Sequence, residues 1–142
     1  MERLEYKFPK AVESMETRLG ETTVVLKKEF LQPVCRYLKK EEGFDYLSDL
    51  TGLDLGILAE PRYAVVYHLY SLEDHRWLRL KVKTSDAVDS VTSVWKGADW
   101  FEREVYDLLG IVFNRHPGLT RIYMPDDFVG HPLRKDFPLT GE

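Results

Sequence analysis

Glu102, Glu104 and Asp107 lie within six positions of one another, and His116 follows nine residues later. Carboxylates close to a histidine suit proton transfer: one group takes a proton from water while another delivers one to a leaving group, as in hydrolysis. Such chemistry needs the acids on one face. In a helix, two residues apart is about 200° around the axis, so Glu102 and Glu104 point in different directions. There is no Gly-x-Ser-x-Gly nucleophile elbow, and Cys35 falls on the core-facing side of an amphipathic segment, where a thiol is inert. His68, His75, His116 and His131 lack the short spacings of a zinc set. The dipeptides His116-Pro117 and His131-Pro132 could bridge a metal but bring no convincing further ligands. No glycine-rich loop is present to cradle a nucleotide. The residues therefore argue against independent catalysis and predict no metal or cofactor in this chain; a free-standing acid/base hydrolase is the weaker alternative.

The element that must position these carboxylates is well marked. Asp99 stands where an N-cap would, with Glu102 at the reciprocal capping-box position, and Gly110 sits at a left-handed C-cap. Between them Phe101, Val105, Leu108 and Leu109 form one apolar stripe, which assigns that face to the core. Arg103 and Asp107 are four apart and predict a pair on the outer surface. A charge run of this kind is by itself a solvated face.

Upstream, Phe8, Val12, Met15 and Leu19 recur at helical spacing, which predicts a first helix ending at Gly20. Residues 22–27 predict a strand, 30–42 a helix with Pro33 in its first turn, and 46–55 a short strand. Residues 61–70 and 77–83 predict a β-hairpin, the second strand alternating Leu78, Leu80 and Val82 with Arg79, Lys81 and Lys83. Ser85-Asp86 could cap a short helix carrying Val88, Val91, Val94 and Trp95. Helices and strands are interspersed without a regular βαβ period. The expected fold is therefore α+β, two layers, with a mixed sheet and helices packed on one face.

At 142 residues the chain is one ordinary domain, able to bury roughly 70% of the surface that its unfolded form exposes. A net charge of −4 argues against nucleic-acid binding by phosphate neutralisation and against a polybasic membrane anchor. One cysteine excludes an internal disulfide and cannot hold an iron–sulfur cluster. No run approaches a membrane span, and the first residues lack the apolar core of a signal peptide.

After Gly110 the character changes. Pro117, Pro125, Pro132 and Pro138 fall in the last 26 residues, and neither helical nor strand periodicity survives. Apolar residues from Leu119 to Leu139 still punctuate the segment, so its composition is not that of a disordered tail. The chain thus divides into a core domain, residues 1–113, and an extended C-terminal strap, residues 114–142. The strap could lie across its own domain or across another protein.

The run Ala98-Asp-Trp-Phe-Glu-Arg-Glu-Val-Tyr-Asp-Leu-Leu-Gly-Ile-Val-Phe113, the segment His116-Pro-Gly-Leu-Thr-Arg-Ile122 and the segment Gly130-His-Pro-Leu-Arg-Lys-Asp-Phe-Pro-Leu139 together resemble the signature of the 30 kDa subunit family of respiratory complex I, NADH-quinone oxidoreductase. The resemblance implies a cofactor-free subunit of the peripheral arm, on the cytoplasmic side of the membrane and attached to it only through the complex. It implies packing against the quinone-site subunit, which is similar to the large subunit of nickel–iron hydrogenases, and against neighbouring iron–sulfur subunits. FMN, iron–sulfur clusters and quinone are then expected in other subunits. Equivalent subunits occur in membrane-bound hydrogenases and ferredoxin-linked complexes, which is the alternative within this class. The partner-binding residues expected on this basis are Glu102, Arg103, Glu104, Asp107, His116, Pro117, Arg121, His131, Pro132, Leu133, Arg134, Lys135, Asp136 and Phe137. Their charges would pair across an interface and fix partner and register, with Leu133 and Phe137 as apolar anchors. The chain departs from the family pattern in two places: Thr120 stands where a basic residue is usual, and many members continue further at the C-terminus.

Overall fold

A computed structural model describes residues 2–136 of the chain. Five strands, β1 (Val12–Arg18), β2 (Glu21–Leu26), β3 (Tyr46–Asp54), β4 (Tyr63–Ser71) and β5 (Arg76–Thr84), form one sheet in the order β1-β2-β5-β4-β3. Only the β2–β5 pair is parallel, so the sheet is mixed. Helices α1 (Glu2–Lys7), α2 (Leu31–Glu41) and α3 (Ala98–Leu109) complete the fold, with a small parallel pair, β6 (Ala87–Asp89) and β7 (Val112–Asn114). The α+β architecture expected from the sequence is the one observed.

Side-chain alternation explains the layering. On the central strand β5, Leu78, Leu80 and Val82 are buried while Trp77 and Lys83 are exposed, and in the neighbouring strand β4 Val65, Tyr67 and Leu69 face the same way as the buried set. The buried face packs on Leu31, Val34, Cys35 and Leu38 of α2, spaced as one helical stripe. It also packs on Val105 and Leu109 of α3. Gly52 of β3 admits α3: a Cβ there would lie 2.6 Å from Leu109 and 2.8 Å from Val105, closer than packed carbon atoms approach.

Two expected helices are not helical. Residues 12–18 form edge strand β1, joined to β2 by the two-residue turn Leu19-Gly20, both at positive φ. That turn has the backbone twist that closes hairpins, and pairing with β2 overrides an apolar spacing that is only half-buried here. Over 85–97, the Thr84 hydroxyl accepts from the amides of Asp86 and Ala87, so the chain turns into β6 instead of entering a helix. Val88 then belongs to a strand, while Val91, Val94 and Trp95 lie in tight turns. They are buried all the same, and their spacing reflects burial without periodic structure.

Candidate docking site

Helix α3 carries two buried carboxylates, each fastening a different part of the chain. Near its start Glu102 accepts from the Ser90 hydroxyl at 2.6 Å and the Val91 amide at 2.8 Å, tying the 90–95 turns to the helix. Burial pushes its carboxyl up to about 7, against the opposing pull of these two hydrogen bonds and with a smaller upward push from Asp99. The expected capping box is absent. The N-cap is Gly97, without a side-chain cap, and the Glu102 side chain is committed elsewhere.

At the other end Asp107 is fully buried. It accepts from Arg121 Nε at 2.6 Å and from the amides of Ile122, Tyr123 and Met124 at 3.1, 2.6 and 3.1 Å. Burial raises the carboxyl, but the Arg121 guanidinium and the three amides outweigh it, leaving Asp107 below the ordinary carboxylate value. Arg121 is consumed in turn: it also donates to the backbone oxygens of Asp107, Phe128 and Gly130 and lies over the Phe128 ring.

The C-terminal segment closes the end of the helix. The last four carbonyls of an α-helix have no partner within it. Here Gly110 N–H serves Tyr106, Arg121 and His131 Nδ1 serve Asp107, Leu133 N–H serves Leu108, and Arg134 Nε serves Leu109. The two arginines also place positive charge at the negative end of the helix dipole. Gly110 is required twice over, by its left-handed φ of 81° and because a Cβ would lie 2.7 Å from the His131 ring.

A second clasp lies further along. Asp54, at the end of β3, accepts from Arg62 Nε at 3.0 Å and Nη2 at 2.8 Å, from Gly56 N–H, and from Lys135 N–H at 2.8 Å. The Arg62 guanidinium is the main reason its carboxyl is held well below the usual range. Arg62 also pairs with Asp136 at 2.9 Å. Sequence reasoning missed Asp54 and Arg62, because their contacts with Lys135 and Asp136, 81 and 74 residues away, leave no local signal.

The expected site residues therefore divide. Glu102, Asp107 and Arg121 are internal fasteners and do not stand on the surface as free charges, since each is spent on donors or acceptors of its own chain. Arg103 pairs with Asp99 at 3.0 Å, not with Asp107 as its spacing suggested. His116 is a structural tie: its buried ring donates from Nε2 to Asp99, 2.9 Å away, while Nδ1 accepts from Gly118 N–H. His131, Arg134 and half-buried Pro132 line the helix end. Glu104, which accepts from the Tyr123 hydroxyl at 3.3 Å, and Pro117, Leu133, Lys135 and Asp136 face outward wholly or in part. Thr120 is exposed, so the position that departs from the family pattern points to solvent. Phe137 lies outside the described residues.

Arg121, His131 and Arg134 of the segment turn inward, and Leu119 packs against the core while Ile122, Met124 and Phe128 are half-buried, but several large apolar side chains point outward. Trp100 of α3 and Tyr123, Val129 and Leu133 of the segment are each more than half exposed, Val129 at 90%. Ile57 and Leu58, in the loop that Asp54 and Arg62 bracket, are exposed as well, Leu58 at 98%. Sequence reasoning missed this pair, and the signal that could have found it is two consecutive large apolar residues between Gly56 and Pro61. The arrangement does not assemble acid/base chemistry, since Asp107 has no free face and Glu102 is sealed from solvent. Among the described residues no group of three or more His, Cys, Asp or Glu is placed to hold a metal, and no helix is long and apolar enough to cross a membrane.

Comparison with known proteins agrees with the signature. Residues 24–142 match the family described as the respiratory-chain NADH dehydrogenase, 30 Kd subunit. An NADH-quinone oxidoreductase subunit of Geobacter metallireducens is 46% identical over 142 residues, covering 98% of this chain and 88% of that protein, and its counterpart in Geobacter sulfurreducens is equally similar. The counterpart in Hydrogenovibrio crunogenus is 43% identical and covers 92% and 75%. A chain in the structure of an archaeal membrane-bound sulfane sulfur reductase, a respiratory membrane complex, shares the fold with a TM-score of 0.82 at 21% identity, over 97% of this chain and 83% of that one. On the extent of these matches and on the α3 signature they include, the chain belongs to the 30 kDa subunit family of respiratory-chain NADH dehydrogenases.

Proposed function

We propose that this chain is a non-catalytic docking subunit of an NADH-quinone oxidoreductase, held at the cytoplasmic side of the membrane through the complex alone. It presents α3 and residues 114–142 to the subunit that forms the quinone site, with iron–sulfur subunits as further neighbours. The observation that carries this reading is the group of large apolar side chains that α3 and the segment leave exposed. Arg121, His131 and Arg134 bind α3, which leaves Trp100, Tyr123, Val129 and Leu133 displayed on a rigid support. Large apolar side chains held outward in a fixed array mark an interface core, and Glu104, Lys135 and Asp136 around them supply a polar rim. Electron carriers, including FMN, iron–sulfur clusters and quinone, reside in other subunits. The single thiol here, Cys35, is buried and raised far above its ordinary value, first by burial and then by Glu102.

Capture of the full chain by the purified quinone-site subunit tests the reading. Val129→Asp combined with Leu133→Asp changes only exposed positions, so circular dichroism should not change, and capture should weaken at least tenfold. Undiminished capture by this variant would remove the docking face from consideration.

A further inference from the structure

The face of the sheet turned away from the helices is organised in three bands. Across β3, β4 and β5 the register aligns Tyr46, Tyr70 and Trp77 in one row, with the Tyr70 and Trp77 rings 4.5 Å apart and Tyr46 and Trp77 each more than half exposed. Two residues along the strands runs a polar ladder. His68 Nδ1 faces Asp49 at 3.8 Å, Arg79 Nε donates to His68 Nε2 at 3.0 Å, and the Arg79 guanidinium continues to Thr23 and Glu21. Between the ladder and the aromatic row lies a depression of about 270 Å³ lined by Glu21, Thr22, His68, Trp77, Leu78 and Arg79. The third band is Lys81 and Lys83, opposite Val66 and Ala64. The acids Glu21 and Asp49 are engaged within the ladder, whereas Lys81 and Lys83 have no hydrogen-bond or ion-pair partner among the described residues. In a chain of net charge −4, this face presents unpaired positive charge on the far side of the ladder from the exposed aromatic row.

We propose that this open face is a second docking surface, distinct from α3 and the C-terminal segment. It receives an acidic segment of another subunit of the same assembly. This rests on the chain being a subunit of a larger complex. The segment would seat an apolar side chain against Tyr46, Tyr70 and Trp77 and present carboxylates to Lys81 and Lys83. The two bands are four residues apart along β5, which at strand rise is about 13 Å; the segment's apolar anchor and its acids must match that span. A membrane surface is a poorer occupant. The aromatic band is a single row, and inserting it into lipid would desolvate the Asp49–His68–Arg79–Glu21 ladder beside it. A protein segment that crosses the ladder can offer its own backbone and side-chain polar groups to Asp49, His68 and Arg79, which acyl chains cannot.

The test places a photoreactive benzoylphenylalanine at position 77 in one full-length chain and at position 129 in another, each purified within its assembled complex. Crosslinking from position 77 to an Asp- or Glu-bearing peptide of another subunit is expected, together with at least a fivefold loss of that crosslink when Lys81→Glu and Lys83→Glu are added. Circular dichroism of the free chain should be unaffected. Crosslinking from position 77 to lipid, to a second copy of this chain or to nothing, while position 129 reaches a neighbouring protein, overturns the second surface and leaves the first intact. Failure at both positions overturns both.

Discussion

Glu102 and Asp107 sit five residues apart on α3, both sealed from solvent, yet their carboxyls are displaced in opposite directions. Burial penalises the charge of each. The difference lies in the donors: Glu102 meets one hydroxyl and one amide, whereas Asp107 meets a guanidinium and three amides. Two neutral donors do not repay desolvation; a cation with three amides does. The first carboxylate holds the domain to itself, and the second holds the C-terminal segment to the domain.

The largest effect that would break this contrast is Asp107→Ala. It leaves Arg121 and three amides without their acceptor, and the expected cost is about 3–5 kcal/mol, measured by denaturant unfolding. Hydrogen exchange at Ile122, Tyr123 and Met124 should accelerate more than exchange in β4. Equal acceleration in both would mean that the segment is not a separately fastened unit.

A comparable but oppositely signed effect concerns pH. Glu102 has a folded value of about 7 against an ordinary 4.5, so the folded state binds the extra proton. Its favourable contribution is complete below pH 4.5 and is lost as pH rises through 7, a loss on the order of 3 kcal/mol. Asp107 behaves in reverse: its contribution is present above its ordinary value of 3.8 and disappears only as acidification carries it through its lower folded value. Unfolding measured between pH 5 and 8 should therefore show stability falling toward pH 8. Glu102→Gln should flatten that slope, and a slope that persists in the variant assigns it to another group.

A smaller effect is expected at the second clasp. Asp54→Asn keeps an acceptor but removes the charge that Arg62 and Lys135 N–H meet, at about 1–2 kcal/mol. Tryptic cleavage after Arg134 and Lys135 should quicken while the core stays resistant. The smallest is Arg103→Ala, whose half-exposed pair with Asp99 is worth about 0.5 kcal/mol or less. A loss above 2 kcal/mol in thermal unfolding would show that the outer side of α3 carries more of the fold than its exposure allows.

The contrast also shows what a linear sequence can and cannot disclose. The stripe of α3 through Val105 and Leu109 and Gly110 as its stop were legible because each depends on neighbours within one or two turns, whereas its start, read as an Asp99 cap, lies at Gly97 without a side-chain cap. The burial of Glu102 was not, since Ser90 and Val91 reach it only after an expected helix gives way to β6 and tight turns. Asp107 read as a surface charge because its partner, Arg121, is fourteen residues away. The alternation in β5 and the hairpin with β4 were readable for the same local reason as α3. Edge strand β1 was not, because half-buried residues meet only a weak periodic constraint and the Leu19-Gly20 turn decided the matter.

Helix α3 does not finish itself. Three of its last four carbonyls wait for donors that lie between 12 and 25 residues beyond the helix end, in Arg121, His131, Leu133 and Arg134. During synthesis on the ribosome these donors emerge after the helix has left the exit tunnel, so a nascent chain carries a frayed end with Asp107 still hydrated until the last segment folds back. A chain cut before residue 121 would keep its sheet and most of its core, and α3 would end in three carbonyls served only by water.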